Sequence, residues 1–462
     1  MNNMLDLKHL ASDLVRRAVE RGAASADCIV IEGDDFSVSV RHQEIETLKE
    51  SDSKGLGLRV FVRSGDGKYL QTASSHTSDL SESSIQPLLE DTLALARITS
   101  PDDCAGLPEQ GHTPLPVEDL GIYSDSIAAL DTETKIRLAR DSERYALDYD
   151  PRIVNSDGSS FSSSIGRIIL ANSAGFVGEY RSSSCSLMTV PIAAEKTNGE
   201  EGSMQRDGWY STAIEFSKLE TPEVVGTTAA RRALSRLGAK KIPTCEVPVI
   251  FDSVTARTLL ENLVDAVSGN SIYRHASFLV EKLGNKVASG CVSVVDDGRM
   301  LGGLGTAPFD GEGVHSRTTP IIEEGVLKNY LLNSYAARKL GMRTTANASR
   351  GLAGPPGIGP TNFYLKPGPQ SPGELIASVD RGVYITDLIG FGVNIITGDY
   401  SRGASGRWIE NGVLTFPFEE VTIAGNLADM FTAIDAVAND LDFRDAVSSP
   451  TIKIAKMMVS GS

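Results

Sequence analysis

The chain has 462 residues, enough for about three domains at roughly 150 residues each, and can bury a large core without covalent staples. Its five cysteines, Cys28, Cys104, Cys185, Cys245 and Cys291, are far apart and odd in number, which excludes a disulfide framework or a cysteine-rich zinc module and points to a reducing compartment. Lys and Arg total 44 against 60 Asp and Glu, a formal net charge of −16, so direct contact with nucleic acid or an anionic membrane surface is electrostatically opposed.

The chain opens with Leu7, Leu10, Leu14 and Ala18 on one helical face with charges between them, an amphipathic helix and not the apolar core of a signal peptide. No stretch reaches the ~20 apolar residues that span a bilayer. The expectation is a cytoplasmic protein without membrane contact. Strand-like runs follow at 27–31, 36–40, 55–62 and 69–74, then a helix near 81–98. Pro101, Pro108, Pro114 and Pro116 come in quick succession and place a linker there, because proline disfavours regular pairing. A helix over 131–149 opens the next segment. Two alternating runs, 163–171 and 175–184, are joined by Asn172-Ser173-Ala174-Gly175, which suits a tight hairpin, and a helix near 222–237 closes it.

From Cys245 the texture changes. Residues 247–251 read as a short apolar strand, Asp252 or Ser253 can cap a helix, and Leu260, Leu263, Val264 and Val267 fall at i, i+3, i+4 and i+7. That helix should end at Gly269-Asn270. Beyond it the chain is glycine-rich, with short apolar runs and helices near 333–340 and 372–380. The fold class is therefore α+β: N-terminal α/β layers with β-hairpins, then a glycine-rich, mostly β C-terminal domain. The expected domains are 1–105, 106–242 and 243–462.

Chemical motifs are sparse. The six histidines are scattered, with none between His112 and His275, and no two stand at helical ligand spacing. Asp296-Asp297 before Gly298 reads as a β-turn. Glu261 and Asp265 share a helix face, a mildly unfavourable pair unless solvated or facing a cation. The tract Gly398-Asp399-Tyr400-Ser401-Arg402-Gly403-Ala404-Ser405-Gly406 reads as a loop. Its glycines allow close approach of another chain, Tyr400 offers an aromatic face, and Arg402 offers a fork of donors. Asp399, Tyr400, Ser401 and Arg402 are the candidate peptide-binding residues; the alternative is an Asp399–Arg402 pair that only holds a turn.

Several stretches resemble the TldD/PmbA family, closest to its PmbA (TldE) branch. They are Pro308-Phe309-Asp310-Gly311-Glu312-Gly313-Val314, Ala336-Ala337-Arg338-Lys339-Leu340-Gly341, the run 397–403, Ile409-Glu410-Asn411-Gly412 and Ile423-Ala424-Gly425-Asn426-Leu427. The family is known both as "modulator of DNA gyrase" and as a cytoplasmic zinc metalloprotease of two related subunits. The resemblance implies that a TldD-type subunit carries an HExxxH helix and a later cysteine ligand, while a PmbA-type subunit helps enclose a peptide cavity. In the frame that would hold HExxxH this sequence reads Glu261-Asn262-Leu263-Val264-Asp265-Ala266, so Glu261, Asn262 and Ala266 stand where the two histidines and the general base would be. The last cysteine is Cys291, so the late cysteine is missing too.

The resemblance thus implies a PmbA/TldE-type subunit of a heterodimeric cytoplasmic metalloprotease. The chain should have no catalytic residue and no metal of its own, with zinc only in a TldD-like partner. Its expected partners are that TldD-like chain or a second copy of itself, and unfolded or extended peptides. The alternatives are a self-standing homodimeric peptidase with a different metal site, Glu261 and Asp265 holding the cation, or a non-enzymatic regulator of DNA gyrase.

Overall fold

The computed structural model describes residues 6–109, 118–197 and 200–461. Pro114 and Pro116 of the expected linker lie outside these residues. The first half is built on one antiparallel sheet of β1 (Ser25–Arg41), β2 (Glu44–Arg63), β3 (Leu70–Thr77), β4 (Ile153–Asn172), β5 (Val177–Thr197), β6 (Glu200–Arg206) and β7 (Trp209–Ala213). Its order is β3-β2-β1-β4-β5-β6, with β7 also on β5. The runs 27–31 and 36–40, expected as separate strands, are parts of the single β1, because the polar residues between them stay paired with β2. Strand β1 also pairs with β4 from Asp27↔Asn172 to Val40↔Ser159, so one sheet crosses the expected boundary at residue 105. The hairpin at Asn172–Gly175 forms, with the Asn172 side chain accepting from Ala174 N–H and Phe176 N–H.

Period-2 alternation gives this sheet two apolar faces. Cys28, Val30, Phe36, Val38 and Val40 point to the face covered by helices. Those helices are α1 (Leu7–Glu20), α2 (Glu82–Ile98), the short α3 (Asp125–Ala128), α4 (Thr132–Leu147) and α5 (Pro222–Ser235). Helix α1 starts where Asp6 accepts from Lys8 N–H and His9 N–H, and buries Leu7, Ala11, Leu14, Val15 and Ala18, close to the face read from sequence. The opposite face carries Ile29, Ile168, Leu170 and Tyr180, which pack on Phe309 and Leu352 of the C-terminal half.

That half begins with β8 (Cys245–Phe251), α6 (Ser253–Val267) and α7 (Gly269–Tyr273). Asp252 caps α6 by accepting from Thr255 N–H at 2.8 Å; Ser268 is extended, so the helix stops at Val267, short of the expected Gly269-Asn270 end, and α7 follows. Next come β9 (Val294–Asp297), β10 (Thr318–Glu323), β11 (Val326–Leu327), α8 (Ser334–Lys339), β12 (Ala348–Ser349), β13 (Gly357–Ile358), β14 (Phe363–Leu365) and α9 (Pro372–Ala377). The chain ends with β15 (Arg381–Ile389), β16 (Asp399–Glu410), β17 (Val413–Asn426), α10 (Leu427–Thr432), β18 (Ile434–Val437), β19 (Val447–Ser448) and β20 (Ile452–Ser460).

Strands β17-β16-β15-β8-β20 run side by side, and β17 also pairs with β20, which closes them into a barrel with β18 on its rim. A second sheet has the order β11-β10-β9-β14-β19. Helix α6 lies between the two, touching β8 and β15 on one side and β14 and β19 on the other. Leu259, Leu260, Leu263, Ala266 and Val267 join the largest core there. The α+β class is as read from the sequence. Asp296 is a correction: it lies in β9, 2% exposed, accepting from Thr361 N–H and Asn347 Nδ2, both at 2.7 Å. Local turn preference yielded to a buried acceptor that ties two loops together.

Candidate functional site

The outer side of α6 carries Arg257, Glu261 and Asp265 at i, i+4 and i+8. Arg257 Nε stands 3.4 Å from Glu261 Oε1. The same guanidinium donates to the Tyr210 hydroxyl at 2.9 Å and pairs with the Asp445 carboxylate, which also accepts from the Tyr210 hydroxyl. Burial pushes the Glu261 carboxyl upward; Arg257 and Arg402 oppose this while Asp445 and Asp265 add to it. Asp265 is raised by burial as well. Arg444 completes the surroundings, donating to the Tyr210 carbonyl at 2.7 Å and to Glu220 at 2.8 Å.

A zinc site needs convergent imidazole, thiolate or carboxylate donors and, for hydrolysis, an open position. The α6 frame does not supply them. Asn262 turns its Nδ2 back to the Thr258 carbonyl at 2.8 Å, Ala266 is a buried methyl in the core, and Glu261 faces guanidinium groups. Among the described residues the one group of three ligand-type side chains within reach of a shared ion is Asp102, Asp103 and Cys104. There the Lys339 ammonium already bridges Asp102 at 3.2 Å and Asp103 at 3.1 Å. The residues around α6 therefore do not fit a hydrolytic zinc.

The tract expected as a loop at 398–406 is mostly the strand β16, held between β15 and β17. Strand alternation separates its members. Tyr400 is 1% exposed and packs into the core, so its ring is not the accessible face expected of it, and its hydroxyl has no hydrogen-bond partner among the described residues. Asp399 and Ser401 are exposed, and Asp399 accepts from the Thr397 hydroxyl at 2.7 Å. The alternative Asp399–Arg402 turn pair does not form, since an odd spacing along a strand puts the two on opposite faces. Arg402 Nη2 reaches the Leu388 carbonyl at 3.5 Å, and its charge acts on both Glu261 and Tyr400.

Thus two of the residues singled out in sequence, Glu261 and Arg402, come together, and Asp399, Ser401, Asn262 and Ala266 do not join them. Arg257, Tyr210 and Asp445 escaped the sequence reading. Arg257 was legible as an i−4 partner of Glu261, whereas Tyr210 and Asp445 arrive from 47 and 188 residues away along the chain.

A helix braced between a closed barrel and a second sheet, bearing a charged cluster on its outer side, defines a mixed α/β protein with a polar site on that helix. Family models for the PmbA/TldA metallopeptidase match residues 26–96 (domain 1), 125–237 (central domain) and 244–461 (C-terminal domain). The chain belongs to the PmbA/TldD metallopeptidase family. It is 38% identical over 458 residues to a metalloprotease PmbA homologue of Haemophilus influenzae, covering 99% of this chain and 96% of that one. A crystal structure from Thermotoga maritima, described as a modulator of a DNA gyrase, superposes with a TM-score of 0.88 at 27% identity, covering 98% of this chain and all of that one. The TldE structure of Thermococcus kodakarensis shares the fold, with a TM-score of 0.85 at 20% identity over 97% of this chain and 99% of that one. Among the described residues no helix is long and apolar enough to cross a membrane.

Proposed function

We propose that this chain is the PmbA/TldE-type subunit of a cytoplasmic two-chain metalloprotease, carrying no zinc and no hydrolytic activity by itself. A TldD-like partner brings the metal, and this chain adds wall and binding surface for extended or unfolded peptides. The observation that carries the reading is that α6, in the frame where the resemblance would place metal donors, bears the Glu261–Arg257 pair tied to Asp445 and Tyr210. Arg257 and Arg402 at that place engage the neighbouring carboxylates and offer donors to peptide carbonyl or carboxylate oxygens. The test is elemental analysis and a peptidase assay on the chain alone and mixed with a TldD-like chain. The expected result is well below one zinc per chain and no cleavage alone, with chelator-sensitive cleavage in the mixture. Stoichiometric zinc with chelator-sensitive cleavage by the isolated chain would favour the self-standing homodimeric peptidase.

An association surface accompanies this reading. The end of β15 and its connection to β16 carry Ile389, Phe391 and Ile396, exposed at 63%, 100% and 58%. Its backbone is nevertheless tied down: Ser401 N–H donates to Gly392 O at 2.7 Å, and Phe278 N–H to Ile395 O at 2.9 Å. An ordered apolar tip beside Arg402 is a natural anchor for a second subunit. Phe391→Asp is expected to weaken subunit association tenfold or more while leaving the melting temperature of the isolated chain unchanged. Light scattering across a concentration series and titration with the TldD-like chain measure this; unchanged affinity assigns the interface elsewhere.

A second reading, a protein regulator of DNA gyrase, is favoured by the description of the Thermotoga relative. The net charge of −16 directs such a role toward protein contact and away from DNA. A supercoiling assay with added chain, at fixed salt, separates it from the first.

A further inference from the structure

A cavity of about 380 Å³ lies where the first sheet meets the C-terminal half, away from the α6 cluster. Strand β2 gives it Arg59 and Phe61, the end of α7 gives Tyr273 and Arg274, α8 gives Tyr335, and Pro356 forms a further wall. Three of these walls are held by hydrogen bonds or ion pairs. Tyr335 donates its hydroxyl to Asp102 at 2.7 Å, and Asn333 Nδ2 holds the carbonyls of Pro356 and Gly357 at 3.0 and 3.3 Å. Arg59 is held by Asp27, with Nε 3.0 Å from Oδ2, and lies 3.5 Å from Glu312. Those walls are thus preformed, which lowers the ordering cost of binding.

The lining also selects a ligand class. Tyr273 and Tyr335 meet edge to face, with centroids 6.0 Å apart and planes at 74°, an arrangement that a third ring extends. The guanidinium of Arg59 lies 5.0 Å from the Phe61 centroid and that of Arg274 lies 5.5 Å from the Tyr273 centroid, so cations already sit over aromatic faces at the edges of the space. The charged residues of the lining are balanced, Arg59 and Arg274 against Asp102 and Glu312, so the cavity does not call for a charged occupant. A benzene-sized guest fits a cavity of about 150 Å³, and this one leaves room for a ring and the atoms that carry it.

We propose that this cavity is a binding site for an uncharged aromatic ring, supplied either by an aromatic side chain of a peptide or by a free aromatic small molecule. The site is independent of the subunit role proposed above and stands whether or not that reading survives.

The experiment uses the full chain with N-acetyl-L-phenylalaninamide as peptide-like probe, indole as free ring and N-acetyl-L-alaninamide as a ringless control, read by saturation-transfer NMR and calorimetry. A ring-bearing probe is expected to bind saturably at about 1 mM or tighter, at least tenfold better than the control. The phenylalaninamide binding more tightly than indole assigns the source to peptides, and the reverse order to free aromatics. Ala105→Trp, which fills the cavity from its border, is expected to weaken binding tenfold or more with circular dichroism unchanged. Tyr273→Ala, which removes an edge of the ring cage, is the second variant and decides the matter if Ala105→Trp does not fold. Absence of saturable binding by either ring probe, or wild-type affinity in the folded variants, overturns the proposal.

Discussion

Arg350→Ala is expected to lower the free energy of unfolding by about 3–5 kcal/mol, because it leaves a buried carboxylate without one of its two cations. The side chains of Arg350 and Asp27 are 1% and 2% exposed, and Arg350 Nη1 donates to Asp27 Oδ1 at 2.6 Å. Asp27 lies on β1 opposite Arg59 on β2, while Arg350 comes from the C-terminal half, so this contact joins the two halves of the molecule through charge. Glu312 adds a second buried carboxylate, accepting from Ser334 N–H at 2.8 Å. Urea unfolding monitored by circular dichroism measures the loss. A variant within about 0.5 kcal/mol of the wild type would mean that water reaches Asp27 once Arg350 is gone.

The same cluster sets a pH dependence with two opposite signs. Burial pushes Asp27 upward, but Arg350 and Arg59 outweigh it and hold the carboxyl below its ordinary 3.8. The stability it contributes is present above that value and is lost as pH falls through the depressed one. Asp310 is the reverse: burial and the Glu312 charge raise it from 3.8 to about 7, against the N–H groups of Glu312, Val314 and Ala348 that favour its ionised form. Its contribution is complete below pH 3.8 and is lost as pH rises through about 7. Asp310→Asn is expected to flatten the fall in melting temperature between pH 4 and 7, while losing the bond from Ala348 N–H at 3.1 Å. Calorimetric scans across that range check it, and an unchanged slope would place the titration on other groups.

Gly406→Ala is the second large effect, a loss of about 2–4 kcal/mol from overpacking against backbone that cannot move aside. A Cβ at this position would stand 2.0 Å from the Tyr384 carbonyl oxygen and 3.0 Å from Ile385 Cα. Register shifts on the neighbouring β15, between Ile385 and Asp387, and on β16 itself, between Ala404 and Gly406, accompany that close approach. Gly403→Ala supplies the contrast. Its Cβ would find Ile389 O at 3.4 Å, an ordinary contact, and the variant is expected to stay within about 0.5 kcal/mol of wild type. Urea midpoints of the two variants, measured side by side, check both; equal midpoints would refute the role given to the bulge.

That pair shows where sequence reading stops. Gly403 and Gly406 are equivalent members of one glycine-rich tract, and nothing local says which of them a neighbouring strand will approach. Glycine and serine are weak strand formers, which suits the tract to a loop, yet its pairing with β15 and β17 overrides that preference. Tyr400, expected to be accessible, became core for the same reason.

What the sequence by itself determined are features whose physics is local. The apolar spacing and Asp6 cap of α1, the Asp252 cap and buried stripe of α6, and the Asn172 hairpin depend on residues a few positions apart. Tertiary structure alone decided that β1 pairs with β4, about 130 residues away, and that the barrel closes through β17 and β20. It also decided that Tyr210 and Asp445 meet Arg257 beside Glu261. Those outcomes follow from burying the alternate faces of long strands and from pairing the charges this burial encloses, and both depend on neighbours distant in sequence.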